Sequence, residues 1–453
     1  MKSLSSGKAF VRQVWEDEKE VEEYRWGCYP EFAEMIAESG SWISINQKLQ
    51  MYSAHIDRRE NSLFPRNHAI QVLTMSEDSI ENHLEIYCTI HTDREMAVVK
   101  GYIREIWQRA WDPRRGFWTP NLITCPLPNR IRDHTSFVIS LNKRPCIGGK
   151  EGLRVNEKRT LKPKGSERRV AVCLKGMDFQ EEIGDRLLEW IEAQLLLGVD
   201  HITIYTYSVS TKAEKVLRHF VNQGTLDWIK LSLPNGFPND PIERSAYIWR
   251  NRQQKRRLEL IPYNDCFYRF INTHDYVLII DLDEVIIPQK HDNYSSLLYD
   301  FEKEKSKKLL SSINVRNVFK FPEKSAQYPA QYPTQYPAQY PTQYPEYLYM
   351  LRNNKRSRKT SKLGDYGKSF TNTKNVATVF NHFALHKQFK EVSPSVGLPE
   401  EVAVKLHYKE KCPIESRNEC EELLNDRVID KSFDRWMERL RERVETTRGL
   451  LNF

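Results

Sequence analysis

The segment YVLIIDLDEVIIP, residues 276–288, places three acidic side chains between two apolar runs. Asp281 and Asp283 are separated by one leucine, and Glu284 follows them directly. On an extended backbone, residues i and i+2 point to the same side, so the spacing predicts that both aspartates face one ligand. Three interpretations stay open at this point: a Mn²⁺ or Mg²⁺ site for a sugar-nucleotide diphosphate, an aspartate nucleophile with its acid/base partner, and a strand end with solvated carboxylates.

Apolar runs and amphipathic segments alternate along the chain before this acidic segment. The predicted strands are residues 170–176, 201–208, 226–234 and 276–280. The predicted helices are residues 181–198, 212–224 and 242–271, the last of them broken near Pro262. This alternation is typical of an α/β domain with a mostly parallel sheet flanked by helices. Ligands of such sheets bind at the carboxyl ends of the strands, which is where Asp281 and Asp283 are expected.

The first third of the chain has a different pattern. Four segments of strand-like composition, separated by Pro, Asn and Arg clusters, predict a β-rich, sandwich-like domain. Its candidate for a functional site is the polar segment MYSAHIDRRE, residues 51–60. The alternative interpretation is a turn with surface charges. The predicted divisions of the chain are an N-terminal segment 1–41, a β-rich domain 42–155, a basic linker 156–169 and the α/β domain 170–453.

Composition limits the classes of protein that the chain can represent. The 453 residues carry a net charge of +8, which fits a protein that handles anionic ligands and does not require a nucleic-acid partner. The eight cysteines form no CxxC pair, so the sequence predicts no structural zinc site. We expect Cys173 and Cys266 to be reduced and buried. No window approaches about 18 uninterrupted apolar residues, so we expect no transmembrane segment in the given chain.

A low-complexity tract interrupts the predicted α/β domain. Residues 326–345 repeat the unit [Ala/Thr]-Gln-Tyr-Pro five times, and proline at every fourth position excludes a helix or a sheet ladder. We predict an extended insertion, with a proline-motif docking site as the alternative. The basic run at residues 351–362 is interpreted as a solvated loop, or as a surface that faces a diphosphate or a membrane.

Four blocks of the sequence together resemble glycosyltransferase family 92. They are CLKGMDFQEEIGDRLLEWIEAQLLLGVDHITIYTYS, residues 173–208; IPYNDCFYR, residues 261–269, with YVLIIDLDEVIIP; GKSFTNTKNVATVFNH, residues 367–382; and KLHYKEKC, residues 405–412. The blocks occur in the family's order, although Lys409 stands where the family has arginine. The β-rich region with YSAHIDRR is also similar to the region before the catalytic domain in animal members.

The resemblance implies a GT-A fold and a metal-dependent, inverting transfer of galactose from UDP-galactose to a glycan acceptor. It implies that Asp281 and Asp283 bind Mn²⁺ (or Mg²⁺) and the donor diphosphate, because such an ion neutralises charge on the leaving group. By the same resemblance, His407 is the expected third metal ligand, with His382 or His386 as alternatives.

Further substrate contacts are expected from the matching blocks. Lys175 and Tyr205 lie at the ends of the first two predicted strands, where the nucleotide of a GT-A enzyme is expected. Asp265 and Arg269 lie one helical turn apart and are interpreted as substrate contacts or as a structural ion pair. Lys368 is interpreted as a phosphate contact or as a solvated side chain.

An inverting transfer also needs a general base for the acceptor hydroxyl. The candidates are Asp365, which precedes the GKSF block, and Glu284, which is alternatively interpreted as a brace for the metal site. The sequence does not choose between these two residues.

Two alternatives to this enzyme remain. A haloacid-dehalogenase-type phosphatase would use Asp281 as nucleophile and Asp283 as acid/base, with Asp430 and Asp434 as the acidic pair for Mg²⁺. A catalytically degenerate, glycan-binding relative would keep the fold and lose the reaction. Family members are usually membrane-anchored in the Golgi, which implies a Golgi location, whereas the given chain shows no anchor or signal.

Overall fold

A computed structural model describes residues 21–24, 27–64, 68–77, 85–157, 167–305, 308–321, 344–410 and 417–453. The N-terminal segment up to residue 20, linker residues 158–166 and the QYP tract up to residue 343 lie outside the described residues, so the predictions for them stay predictions. No helix within the described ranges combines the length and the apolar character needed to span a bilayer.

The strands between residues 35 and 154 belong to one sheet in the described part of the chain. They are β1 (Met35–Ala37), β2 (Ile43–Asn46), β3 (Leu49–Asp57), β4 (Ala69–Glu77), β5 (Ile86–His91), β6 (Met96–Glu105), β7 (Trp118–Pro126), β8 (Val138–Asn142) and β9 (Glu151–Arg154). Their spatial order is β1-β9-β8-β5-β6-β7-β4-β3-β2. The β-rich composition is confirmed, and the strands form one continuous order in which β6 joins two halves.

Strand β6 folds this nine-stranded sheet over on itself. Its first half pairs with β5, and its second half, from Tyr102 onward, pairs with β7. The partner changes after Gly101, where a Cβ atom would lie 3.0 Å from both Cys88 Sγ and Ile123 Cγ2. Cys88 is disulfide-bonded to Cys125 of β7, and residues of both halves share one apolar core. Glycine is therefore required where the strand turns the corner.

Two further sheets and a hairpin follow in the chain. The remaining strands are β10 (Val170–Asp178), β11 (His201–Ser208), β12 (Leu226–Lys230), β13 (Tyr276–Ile280), β14 (Glu284–Pro288), β15 (Ser312–Val315), β16 (Asn317–Lys320), β17 (Lys355–Ser357), β18 (Lys368–Asn372), β19 (Val376–Val379), β20 (Ala384–Lys387), β21 (Val396–Gly397), β22 (Ala403–Tyr408) and β23 (Arg427–Ile429). Within the described residues the seven-stranded sheet has the order β12-β11-β10-β13-β18-β15-β21, and the five-stranded sheet has the order β14-β22-β16-β17-β23. Strands β19 and β20 form the hairpin.

The four strands predicted before the acidic segment are confirmed as β10 to β13. They are parallel neighbours, so their carboxyl ends share one edge of the seven-stranded sheet. Strand β18 then joins antiparallel to β13 and β15. The chain is a mixed α/β protein in which most described strand pairs are antiparallel. In the seven-stranded sheet, parallel pairing is found in the group β10 to β13 and in the short pair β15–β21.

Helices cover both faces of the seven-stranded sheet. The described helices are α1 (Gly184–Leu196), α2 (Thr211–Asn222), α3 (Pro241–Arg250), α4 (Arg252–Leu258), α5 (Leu260–Phe270), α6 (Tyr294–Glu304), α7 (Tyr349–Arg352), α8 (Arg417–Asn425) and α9 (Asp434–Leu451). The predicted helix 242–271 is thus divided into α3, α4 and α5, with breaks at Asn251 and Glu259. Pro262 lies in the first turn of α5, where proline removes no intrahelical hydrogen bond.

Helix α5 lies between the nine-stranded and the seven-stranded sheet and shares an apolar core with both. Alternation along β10 directs Ala171 and Cys173 to this core, and Val172 and Leu174 to the opposite face. Cys173 forms a disulfide with Cys266 of α5, so the expectation that both cysteines are reduced was wrong. The two residues are far apart in the chain, and only the packing of α5 against β10 brings them together.

The polar segment MYSAHIDRRE connects the two sheets. Arg59 Nη2 lies 2.7 Å from Asp57 Oδ2, and both side chains are buried. Arg59 Nη1 also donates to the carbonyls of Thr373 and Val376, at 2.6 and 2.7 Å. Those carbonyls belong to the residue after β18 and to the first residue of β19, so the arginine joins the nine-stranded sheet to the rest of the molecule.

Replacing Arg59 tests this connection. In Arg59→Met, Asp57 keeps a buried charge without its partner, so we expect the free energy of unfolding to fall by about 3–5 kcal/mol. Urea denaturation measures the change. The control is Lys48→Met, which removes an exposed ion pair with Glu77 and should change stability by less than about 1 kcal/mol. Equal effects of the two substitutions would contradict the assignment.

Candidate active site

A cavity of about 910 Å³ opens at the carboxyl ends of β10 and β13. The end of β10, the acidic turn after β13, the segment after β22 and helices α3 and α4 form its wall. Its charged lining consists of Lys175, Asp178, Glu181, Arg186, Arg252, Lys255, Arg256, Glu259, Asp281, Asp283, Lys409 and Glu410. A site with both signs of charge suits a ligand that is anionic in one part and rich in hydroxyl groups in another.

Asp281 and Asp283 lie in a tight turn rather than on an extended strand. The backbone N–H of Glu284 donates to the carbonyl of Asp281 at 3.0 Å, and β14 begins at Glu284. Because β13 and β14 belong to different sheets, the chain changes direction at Leu282. The two aspartates are therefore not held on one side by an extended backbone, contrary to the prediction from their spacing. Both aspartates line the cavity, but their carboxylates have different partners.

The carboxylate of Asp281 is held between two lysines. Lys175 Nζ lies 3.1 Å from Oδ1, and Lys368 Nζ lies 3.1 Å from Oδ2. Lys368 is fully buried and also donates to Asn381 Oδ1 at 2.6 Å. Burial opposes ionisation of Asp281, but Lys175 and then Lys368 outweigh it and hold the pKa of this carboxyl well below its usual range. Lys368 thus neutralises Asp281 from inside the protein and is neither solvated nor part of the described cavity lining.

The carboxylate of Asp283 is 30% exposed and faces the cavity. Its Oδ2 lies 3.1 Å from His407 Nε2 and 3.8 Å from Lys409 Nζ. Strand β22 pairs antiparallel with β14 in a register that sets His407 opposite Glu284. Burial lowers the pKa of His407 below its usual value, so the ring is neutral near pH 7 and keeps one lone pair. Asp283 and His407 therefore offer an oxygen and a nitrogen ligand at one place in the cavity wall.

Glu284 is buried behind this turn. It forms a short ion pair with Lys405, and it lies 3.5 Å from both Lys368 Nζ and His407 Nδ1. Its Oε2 accepts the backbone N–H of Asp281 at 3.2 Å. Burial opposes ionisation, yet the lysines lower the pKa of Glu284 to about 2. A carboxylate with these partners braces the turn and has no access to an acceptor hydroxyl, so the contacts favour the brace over the general base.

Three residues predicted to bind substrate lie outside the described cavity lining. Asp265 accepts a hydrogen bond from Tyr205 Oη at 2.5 Å and pairs with Arg269 Nε at 2.7 Å and His55 Nε2 at 2.9 Å. This cluster is buried between α5 and the nine-stranded sheet. The contacts favour the structural ion pair for Asp265 and Arg269. Tyr205 lies too far from the carboxyl end of β11, whereas Tyr207, two residues further on, lines the cavity.

The candidate general base Asp365 and the alternative metal ligands His382 and His386 also lie outside the described lining of the cavity. Asp365 is exposed in a turn. His382 and His386 are hydrogen-bonded elsewhere, and burial lowers their pKa values to about 4 and about 3. Among the three candidate histidines, His407 is the one that contacts the acidic turn.

The segment KLHYK, residues 405–409, contains a further signal that the prediction of His407 alone did not use. Lys405, His407 and Lys409 recur at every second residue, so a strand presents all three on one face. Lys405 contacts Glu284, and the other two contact Asp283. The alternation was the available signal that this segment faces a cluster of carboxylates.

Two other cavity groups were missed. Asp178, the last residue of β10, receives two hydrogen bonds from Arg244, at 2.8 and 3.0 Å. Glu259 lies 3.8 Å from Lys175 Nζ. The position of Asp178 at a strand end was a usable signal, but nothing in the sequence pairs it with an arginine on α3.

Among the described residues, no three His, Cys, Asp or Glu side chains are grouped as a metal site. Asp283 Oδ2 and His407 Nε2 supply two potential ligands. Mg²⁺, and by the same chemistry Mn²⁺, binds through few protein ligands at nucleotide sites and completes its shell with phosphate oxygens and water. The donor set fits an ion that is bound together with a diphosphate.

Comparison with known sequences identifies the family. The sequence model of glycosyltransferase family 92 matches residues 168–445, well over half of the chain. The chain belongs to glycosyltransferase family 92. The matched region begins just before β10 and ends within α9, so it contains the acidic turn and the elements around the cavity. The nine-stranded sheet precedes it.

Two relatives from Caenorhabditis elegans match parts of this family 92 chain. A glycosyltransferase family 92 protein is 27% identical over 130 residues, which is 28% of this chain and 24% of that protein. The beta-1,4-galactosyltransferase galt-1 is 21% identical over 176 residues, 38% of each protein. The matches thus span well under half of either relative. The solved structure of S. aureus TarS 1-349 is 14% identical, covers 36% of this chain and 37% of that one, and has a TM-score of 0.20, which is too low to support an argument about fold.

The pKa of Glu284 predicts a specific acid sensitivity. Its pKa in the folded state is about 2, below the ordinary value of 4.5, so the carboxylate stabilises the fold above pH 4.5. That contribution, about 3 kcal/mol, is lost as the pH falls from 4.5 towards 2. The free energy of unfolding, measured by urea denaturation across this range, should therefore fall more steeply for the wild type than for Glu284→Gln. The exposed Glu77→Gln serves as control, and parallel curves for the wild type and Glu284→Gln would refute the prediction.

Proposed function

We propose that this protein transfers galactose from UDP-galactose to a glycan acceptor, in a metal-dependent, inverting reaction on a GT-A-like fold. The observation that carries the proposal is the contact of Asp283 with His407 in the wall of a cavity that also contains Lys175 and Lys409. Family membership supports sugar transfer, and the relative named as a beta-1,4-galactosyltransferase supports galactose. Four parallel strands with the acidic turn at their carboxyl edge support the GT-A-like arrangement.

Asp283 and His407 would hold Mn²⁺ (or Mg²⁺). When bound, the ion supplies positive charge that neutralises the nucleoside diphosphate as the sugar leaves. Lys409, 3.8 Å from Asp283, adds a positive charge of the protein at the same place. Since lysine presents a compact point charge rather than the planar fork of arginine, this residue is suited to a phosphate oxygen without fixing its direction.

Lys175 is placed to orient the donor diphosphate. Its side chain lines the cavity, with Asp281 Oδ1 at 3.1 Å and Glu259 Oε1 at 3.8 Å. Attraction to Asp281, and more weakly to Glu259, raises the pKa of Lys175 well above its usual value, so the ammonium group stays charged. Lys368 acts through Asp281: by neutralising one of its oxygens, it reduces the repulsion between that carboxylate and an approaching phosphate.

The general base is proposed among the carboxylates of the cavity. Asp178 is bound by Arg244 through two hydrogen bonds, and Glu259 lies between two lysines. Glu181 and Glu410 are exposed and line the cavity, which gives them access to an acceptor hydroxyl, and Glu410 is paired with Arg186 at 2.8 Å. Asp365 stays a prediction from the sequence.

The contacts do not favour the phosphatase alternative. Asp281, which would be the nucleophile of the phosphatase, forms ion pairs with Lys175 and Lys368. Asp430, half of its acidic pair, is buried against Lys320 at 2.9 Å and is not part of the described cavity lining. The degenerate glycan-binding relative is separated from the enzyme by the activity measurement described below.

We also propose a Golgi location, as the family resemblance implies. Disulfides support an oxidising compartment of the secretory route, because they persist there and are rare in the cytosol. The bonds between described cysteines are Cys28–Cys146, Cys88–Cys125 and Cys173–Cys266.

Asp283→Asn tests the metal and donor assignments together. Loss of one carboxylate charge should reduce Mn²⁺-dependent release of UDP from UDP-galactose on the order of 100-fold. Mn²⁺ binding, followed by electron paramagnetic resonance, should weaken in Asp283→Asn and in His407→Ala independently of turnover.

The matched control is Asp292→Asn, which changes a 91% exposed aspartate and should retain wild-type rates. Turnover of UDP-galactose by Asp283→Asn at the wild-type rate would disprove the role of Asp283. A folded wild-type protein that uses no UDP-sugar would favour the degenerate relative.

A further inference from the structure

The loop between β6 and β7 presents a tryptophan at the surface. Trp111 is 49% exposed. Its ring packs against Trp107 and Phe380, with centroid distances of 5.4 and 5.7 Å. Aromatic neighbours on two sides fix the ring, so its exposed part forms a rigid apolar face. Such faces bind ligands with little loss of conformational entropy.

This loop is fastened to helix α4, which forms part of the cavity wall. Arg257 of α4 is fully buried, with its guanidinium carbon 4.0 Å from the ring of Trp107 and 4.3 Å from the ring of Phe117. Its Nη2 lies 3.3 Å from Asp112 Oδ2. The side chain of Gln254 exchanges two 2.9 Å hydrogen bonds with the backbone of the first residue of β7. One side of α4 is therefore bound tightly to the nine-stranded sheet.

The other side of α4 faces the cavity and leads to Trp111. Arg252 and Arg256 lie one helical turn apart and line the cavity. The guanidinium carbon of Arg252 is 4.9 Å from the ring of Trp249, a cavity residue that is 72% exposed. The guanidinium carbon of Arg256 is 5.0 Å from the ring of Trp111. Exposed aromatic and guanidinium groups thus continue from the cavity onto the nine-stranded sheet.

A second chain of contacts connects Trp111 with the acidic turn. Phe380, which packs on Trp111, directly precedes Asn381. Asn381 accepts a hydrogen bond from Lys368, which is the partner of Asp281. Two chains of contacts therefore connect Trp111 with residues of the proposed transfer site, one through Arg256 and one through Phe380 and Asn381.

We infer that Trp111, with Arg256, forms a binding subsite for a sugar unit of an oligosaccharide acceptor, at a distance from the sugar that receives galactose. The inference rests on the proposed function and assigns part of acceptor recognition to the nine-stranded sheet, outside the family 92 region. An oligosaccharide is the occupant that fits, because sugar rings have apolar faces that pack on an indole. Their hydroxyl oxygens accept hydrogen bonds from a guanidinium.

Binding of sugars of graded length tests the subsite without any donor. The probe is a printed array of defined oligosaccharides, from monosaccharides to hexasaccharides. Wild-type protein should bind certain longer chains more tightly than their shorter fragments. Trp111→Ala should weaken binding of the longer chains about tenfold, the loss expected when a tryptophan anchor is removed, and should leave binding of the short fragments unchanged.

Two further variants separate an aromatic contact from a loss of folding. Trp111→Phe keeps a ring and should retain most of the binding. Tyr29→Ala removes an aromatic side chain that is 83% exposed elsewhere and should behave as the wild type. Because Trp107, Asp112 and Arg257 anchor the loop without Trp111, Trp111→Ala should still fold and keep the circular-dichroism spectrum of the wild type.

The inference fails if wild-type protein binds no oligosaccharide on the array, if affinity does not rise with chain length, or if Trp111→Ala binds long chains as the wild type does. If wild-type protein uses no UDP-sugar but Trp111→Ala still loses the long chains, the proposed donor is wrong and the subsite stands. If wild-type protein releases UDP from UDP-galactose but Trp111→Ala binds the long chains as the wild type does, the proposed donor stands and the subsite is wrong.

Discussion

The ion pairs around the acidic turn are the constraint on which the rest of the site depends. Glu284 is buried and Asp281 is only 20% exposed, and an unpaired carboxylate in such surroundings is strongly destabilising. Lysines from three different strands compensate them: Lys175 from β10, Lys368 from β18 and Lys405 from β22. The charges are balanced only when all three strands are in place. This requirement fixes the junction between the seven-stranded and the five-stranded sheet.

The same balance determines which acidic group remains for chemistry. With Asp281 between two lysines and Glu284 buried, Asp283 is the carboxylate of the turn that faces the cavity with His407 beside it. A site built in this way separates two tasks. Buried ion pairs hold the turn in position, and a partly exposed carboxylate with a neutral imidazole is left for the ion of the proposed function. Lys175 beside Asp281 and Lys409 beside Asp283 add positive charge to the same cavity wall.

The nine-stranded sheet is packed as part of the catalytic body. It shares a core with α5, it supplies His55 to the buried Asp265 cluster, and Arg59 bonds to the backbone between β18 and β19. The loop after β6 is likewise bound to α4, through the ion pair of Asp112 with Arg257. These contacts hold the sheet against α4, a helix whose other side lines the cavity, and this connection is the physical basis for an acceptor subsite next to α4.

The sequence by itself determined the elements whose signals are local. Alternating apolar runs predicted β10 to β13 and the helices between them, and the order of four blocks indicated family 92. The two-residue alternation in KLHYK also indicated that Lys405 and His407 point to the same side of their strand. The tertiary structure alone decided the partners. In the folded chain the backbone turns at Leu282, and Cys173 is bonded to Cys266. Tyr205, Asp265 and Arg269 form a buried cluster with one another instead of lining the cavity. Those outcomes depend on which distant surfaces pack together, and no local pattern of residues specifies that choice.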